Sequence, residues 1–167
     1  MPQAVPLAPP DASPALRLVM LGVPLLLMGL AFVPDPDWPG IHWDLLALGA
    51  LLAALFGLAP RRLAYTLTPD ALVIRRVLGR TTLPYAGMRA RRSAGRLGVR
   101  TFGTGLPGYL TGRFTFGPDP RSQVRAAATR GEGGVVVEVG GAAHFLTPAD
   151  PAAFLSALEA RGAAVSP

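Results

Sequence analysis

The chain reads as a two-helix membrane hairpin followed by a mainly-β domain that a C-terminal helix closes. Three observations predict this. Hydrophobicity is almost unbroken from Leu16 to Ala59, with one acidic break between Pro34 and Asp44. After Pro60 the large apolar residues recur with a period of two, as in strands. The last stretch returns to helical spacing.

The hairpin is expected over residues 16–59, as helices 16–33 and 41–59 with an outer loop 34–40, after a flexible N-terminal segment 1–15. At 1.5 Å per residue each run reaches roughly 27 Å, close to the ~30 Å hydrocarbon core. Both runs are apolar all round, whereas a soluble core helix would keep a polar face. Pro24 is expected to bend the first helix locally, which membrane helices tolerate. Trp38 and Trp43 flank the loop, at the level of an interfacial aromatic belt. The loop stretch 34–44 carries three aspartates and no Lys or Arg, while Arg17 lies at the head of the first run and Arg61 and Arg62 follow the second. The positive-inside rule then places both termini in the cytoplasm of a multi-pass inner-membrane protein. The rival readings are a cleaved signal peptide and a buried helical hairpin of a soluble protein. The first is weakened by the missing basic n-region, the late start and the second apolar run. Gly49, Ala53 and Gly57 recur every four residues and suit close packing against the first helix. Neither run holds an ionisable residue in its core, Asp44 being at an end, which argues against an ion or proton path.

Composition narrows the rest. The 167 residues accommodate one hairpin and one small domain. There is no cysteine, hence no disulfide, thiolate metal site or cysteine nucleophile. From residue 61 onward fifteen Arg stand against three Asp and three Glu, so this part carries +9 of charge. Beside an inner leaflet such a domain faces anionic lipid. Nucleic acid is the usual alternative for such charge, but no nucleic-acid-binding motif is present.

Seven short strands are expected in the domain, 63–162, before a tail at 163–167. They are Leu63 to Thr68, Leu72 to Val77, Arg80 to Leu83, Arg113 to Phe116, Val124 to Ala128, Val135 to Val139 and Ala143 to Leu146. Thr68-Pro69-Asp70-Ala71 supplies one turn and Gly140-Gly141 another. Phe154, Leu155 and Leu158 share one face of a final helix. Thr147 and Asp150 are spaced as in a capping box, Pro148 or Pro151 suits the first turn, and Gly162 suits the stop. An antiparallel sheet curling into an open barrel leaves one end that such a helix can cover.

That order is the plan of the pleckstrin-homology (PH) fold, and the residues go further. The runs Tyr65 to Ile74 and Thr82 to Met88 resemble the opening of bacterial PH-like domains found in small membrane proteins. The stretches Gly103 to Phe114 and Phe145 to Phe154 resemble other characteristic segments of that family. The resemblance spans about 63 to 160, and the paired upstream helices fit it. It implies a PH-like open barrel of about seven antiparallel strands and an association with membranes. It implies no agreed biochemical activity and does not license transferring phosphoinositide binding from eukaryotic relatives.

Two candidate surfaces emerge. Arg89, Arg91, Arg92, Arg96 and Arg100 put five basic residues into twelve positions, either a patch oriented on anionic lipid or partner, or a solvated loop. Arg75 and Arg76 are adjacent on a strand and point to opposite faces, so at most one joins any patch. Gly103, Gly105 and Gly108 formally match GxGxxG, but Pro107 lies inside, no helix follows and no acidic residue stands about twenty positions on, so a dinucleotide site is rejected. The bland reading is a sharp loop; the functional one is an anion-binding loop of Gly103, Gly105 and Gly108 beside Arg113. His42 and His144 lack ligands at metal spacing, and His144 is expected as a sheet residue with a satisfied hydrogen bond. Asp70, Asp119, Glu132, Glu138, Asp150 and Glu159 suit turns, caps or surface. No catalytic residue, cofactor or metal is expected.

The leading expectation is a non-catalytic scaffold that presents the domain at the cytoplasmic face of the bilayer for docking a protein. The alternatives are an anionic-lipid headgroup sensor using the Arg89–Arg100 cluster and a membrane-bound enzyme with its site at Gly103–Arg113. No nucleic-acid partner is expected, and homo-oligomerisation is left open.

Overall fold

A computed structural model describes residues 2–11, 13–34, 40–117 and 119–166, with only the backbone of Pro14, Arg17, Asp119 and Pro120. The chain runs β1 (Gln3–Val5), α1 (Pro14–Leu30), α2 (Trp43–Leu58), a 3₁₀ turn (Pro60–Arg62), β2 (Ala64–Leu67), β3 (Ala71–Arg75), β4 (Arg80–Pro84) and β5 (Arg89–Arg92). It continues with β6 (Leu97–Leu106), β7 (Tyr109–Phe116), β8 (Asp119–Ala128), β9 (Val135–Val139), β10 (Ala142–Leu146), α3 (Pro151–Glu159) and β11 (Ala164–Ser166). Two compact units result: residues 12–61, and residues 1–11 together with 62–167.

The helical unit is an α1–α2 pair. Ser13 caps α1 by accepting from the Leu16 amide at 3.2 Å, and the helix runs through Pro24. Among the described residues the segment Trp43–Arg62, 20 residues with mean hydropathy 1.8, is long and apolar enough to cross a membrane. The apolar part of α1, Leu18–Leu30, is shorter than that. Leu18, Leu21, Leu25, Leu51 and Leu58 are all exposed. The helices touch where Gly49 lies against α1: a Cβ there would sit 2.6 Å from the Met28 Cγ and 2.9 Å from the Pro24 carbonyl oxygen. Gly57 has nothing within 4 Å and Ala53 is exposed, so the expected small-residue face reduces to Gly49. Most of the loop expected at 34–40, Trp38 included, lies outside the described residues.

The β unit is two sheets. The first has the order β1-β2-β3-β4, all antiparallel. The second has the order β11-β5-β9-β10-β8-β7-β6, with its end strands unpaired to each other, so the sheet is open. Two of its ladders, β8–β10 and β5–β11, are parallel, which corrects the expected all-antiparallel barrel. The buried hydroxyl of Tyr65 ties the sheets: it donates to the Ala127 carbonyl and accepts from the Thr147 amide at 3.2 Å. Burial pushes its phenol up to about 12. A further cluster of Leu97, Phe114, Val124, Ala126, Val136 and Phe145 packs on one face of the seven-stranded sheet.

Five expectations need correction. Residues 3–5, expected to be flexible, form β1 on the edge of the first sheet; Ala8 is buried, its amide donating to Thr147 and its carbonyl accepting from Thr129. The arginine-rich segment contains β5, whose Ala90 is buried between charged neighbours. The glycine segment is not a loop: Gly103 and Gly105 lie inside β6, and only Gly108 sits in the turn to β7. The tail adds β11. At the final helix, Asp150 alone caps α3, accepting from the amides of Ala152 and Ala153, in place of the expected Thr147 box.

Candidate functional site

The two sheets of the β unit meet around a pocket of about 240 Å³. The first sheet contributes Ile74 on β3, Arg76 just beyond it, and Thr81 on β4. The second contributes Phe102, Arg113, Arg125 and His144 from β6, β7, β8 and β10. These four are register partners in turn: Phe102 opposite Arg113, Arg113 opposite Arg125, Arg125 opposite His144. Register partners share a face, so they form one row across four adjoining strands.

Local chemistry sets each position. Gly103 and Gly112 are paired, with φ of 106° and 122°, and a Cβ on Gly112 would lie 2.7 Å from the Gly103 Cα and collide with the Phe102 carbonyl. Only glycine allows these backbones so close, and this approach fixes Phe102 and Arg113 beside the pocket. The Arg76 amide donates to Gly79, and the Val77 amide donates to the Tyr109 hydroxyl at 2.9 Å, holding the β3–β4 turn against β7. The Arg76 guanidinium donates to the Thr81 hydroxyl, while its Nε is buried without a partner.

The electrostatics are one-sided. Three arginines and a histidine line the pocket, and none of the lining residues is a carboxylate. Arg113 and Arg125 stand directly opposite each other, an arrangement that is ordinarily unfavourable. His144 is 5% exposed, and its imidazole is pushed down to about 4, by burial first and then by Arg125 and Arg76. It is therefore neutral at neutral pH and offers one N–H and one lone pair. The lining is rich in donors, suited to holding an anion. Among the described residues no group of His, Cys, Asp or Glu could hold a metal ion.

The residues singled out in the sequence fall differently. Arg89, Arg91 and Arg92 are exposed on β5, with Arg89 opposite Glu138 of β9. Arg96 lies in the following loop, lining an open depression of about 600 Å³ with Arg130, Asp11 and Glu132. Arg100 is on β6, its guanidinium over Gly105. β5 and β6 are separated by β9, β10, β8 and β7 in the sheet order, so the cluster is not one row on neighbouring strands. Of the expected anion loop, Arg113 lines the pocket, and Gly103 supports it by its close approach to Gly112. Gly105 and Gly108 do not line it. Sequence reasoning missed Thr81, Phe102 and Arg125 as site residues, weighed Arg76 only as one possible member of a patch, and read His144 as structural. One signal was available: Arg113, Arg125 and His144 each sit among apolar strand residues.

Compared with known proteins, residues 63–162 match the family model described as Bacterial PH domain. No curated protein and no solved structure matches the chain.

Proposed function

We propose that this chain, which belongs to the bacterial PH domain family over residues 63–162, is a membrane-anchored, non-catalytic binding module that docks a protein partner at the cytoplasmic face of the bacterial inner membrane. PH domains are typically binding modules, and the basic, carboxylate-free pocket suits binding better than catalysis. The observation that carries the anchoring is the helical unit: its large apolar side chains face outward on both helices, as lipid-facing residues do.

Connectivity supports the orientation. β1 pairs with β2, and the helical pair is inserted between them. If both helices span, the chain leaves and re-enters the same sheet on one side of the bilayer. The arginines at 61 and 62 make that the cytoplasmic side.

The absence of cysteine gives a clean test. Gly40→Cys and Glu132→Cys variants of the full chain are treated with an impermeant maleimide in intact cells. Labelling of Gly40→Cys from outside, with Glu132→Cys labelled only after lysis, is the expected outcome. Release of the protein by carbonate wash, or labelling of neither site before lysis, removes the two-span reading. Photocrosslinking from exposed domain positions in native membranes then checks docking: saturable adducts support it.

The second reading, an anionic-lipid sensor using Arg89 to Arg100, is favoured by the +9 charge from residue 61 onward. It predicts membrane affinity that falls steeply with salt.

A further inference from the structure

The docking reading leaves the pocket between the sheets without a task. Its charges are set against one another: Arg113 opposite Arg125 on neighbouring strands, Arg76 closing in from the other sheet, and no carboxylate among the lining residues. Such an arrangement is relieved by an anion that accepts hydrogen bonds from several guanidiniums at once. Arginine forks match the oxygens of a phosphate group bidentately. Thr81 and neutral His144 add a hydroxyl and an imidazole, and the Arg76 Nε is a buried donor without an acceptor. Three fixed positive charges exceed what a single carboxylate would balance and suit a dianion. The volume of about 240 Å³ falls below the ~300–1,000 Å³ typical of larger organic ligands, which points to a compact group.

We propose that the pocket formed by Arg76, Thr81, Arg113, Arg125 and His144 binds a phosphate-class dianion, either free or at the end of a lipid headgroup. Beside the arginines stand apolar residues turned to solvent: Phe102 at 75% exposure and Leu78 at 88%. Leu78 is two residues from Arg76, and Phe102 lines the pocket itself. Exposed apolar side chains on and near a cationic pocket suit a headgroup presented by a bilayer, because they can enter the interface while the phosphate is held. The proposal goes beyond the docking reading and does not require the helices to span.

The test uses the full chain with ¹⁵N-labelled histidine. There are two histidines, so His42 is an internal control. In neutral detergent, inorganic phosphate is titrated against sodium chloride at matched ionic strength. The expected result is a saturable change at His144, absent with chloride, in which bound phosphate raises the His144 pKa from its depressed value near 4. The groups setting that value are Arg125 on β8 and Arg76 beyond β3, with Arg113 on β7 next in the row; a phosphate among them offsets all three. Arg125→Gln weakens phosphate by about tenfold or more, while Arg75→Gln, one residue from Arg76 and on the other face, does not. A second arm compares nanodiscs of phosphatidylcholine with and without phosphatidic acid. A response to phosphatidic acid that Phe102→Ser and Leu78→Ser diminish identifies the lipid source; a response to phosphate alone identifies the free anion. No saturable change in either arm overturns the proposal, as does equal weakening by Arg75→Gln. If Arg125→Gln fails to fold, the phosphate titration of the unaltered chain decides. Because that arm is read in detergent, its failure is separable from failure of the cysteine labelling at Gly40.

Discussion

His144 carries a penalty that has a pH signature. Its side chain is buried, and burial first, then the charges of Arg125 and Arg76, hold it near 4, against 6.5 for an ordinary histidine. The unfolded chain therefore binds the extra proton first. The stability that depends on neutral His144 is fully present above about pH 6.5 and is lost as pH falls towards 4. The expected loss across that window is at most about 3 kcal/mol, and urea denaturation at a series of pH values measures it. His144→Gln should flatten this window. An unchanged slope in that variant would show that another group titrates there.

At the level of elements, glycines decide which strands can approach. Gly112 and Gly87 both have positive φ, but their surroundings differ. A Cβ on Gly87 meets open space, so Gly87→Ala costs only the conformational penalty, about 1 kcal/mol. A Cβ on Gly112 meets the backbone of β6, so Gly112→Ala must push β6 from β7 and should cost about 3 kcal/mol or more. Equal unfolding midpoints for the two variants would contradict the close pairing of Gly103 with Gly112. The same pairing explains why the segment reads as a loop in the sequence. Gly103 and Gly105 carry no strand propensity of their own, and β6 exists because β7 supplies the ladder. β5 was hidden differently: Arg-Ala-Arg-Arg has no apolar alternation, and Ala90 is its sole buried residue.

For the whole molecule, the telling feature is a domain closed by its own N-terminus. β1 adds to β2, the Thr129 hydroxyl donates to the Ala8 carbonyl at 2.7 Å, and the Ala149 amide donates to Pro6 at 2.8 Å. Deleting residues 2–11 removes these and exposes the edge of β2. The expected cost is about 2 kcal/mol or more, read as a lower unfolding temperature of the full chain in detergent. An unchanged unfolding temperature would mean that β1 rests on the sheet without holding it. Because the apolar helices lie between β1 and β2, this closure also returns the chain to the sheet it left.

Local pattern alone determined the apolar helical pair, five of the strands close to their observed bounds and the second halves of β7 and β8, the turn at Gly140 and Gly141, and the closing helix with its Phe154, Leu155 and Leu158 face. Each is a property of neighbours in the chain: continuous apolarity, a period of two, a period of 3.6, a cap. The resemblance carried by Tyr65 to Ile74 and its companion stretches also identified the family. Tertiary structure decided the rest. Whether residues 3–5 are a tail or a strand depends on β2, more than fifty residues away. Whether Arg113, Arg125 and His144 meet depends on the registers of β7 with β8 and of β8 with β10, and a shift of one residue would turn each to the opposite face. Register is set by long-range backbone hydrogen bonds and by the packing between sheets. No local window contains those terms, and so the densest arginine run in the sequence is spread over β5 and β6 while Arg76, Arg113 and Arg125, distant in the sequence, converge on one pocket.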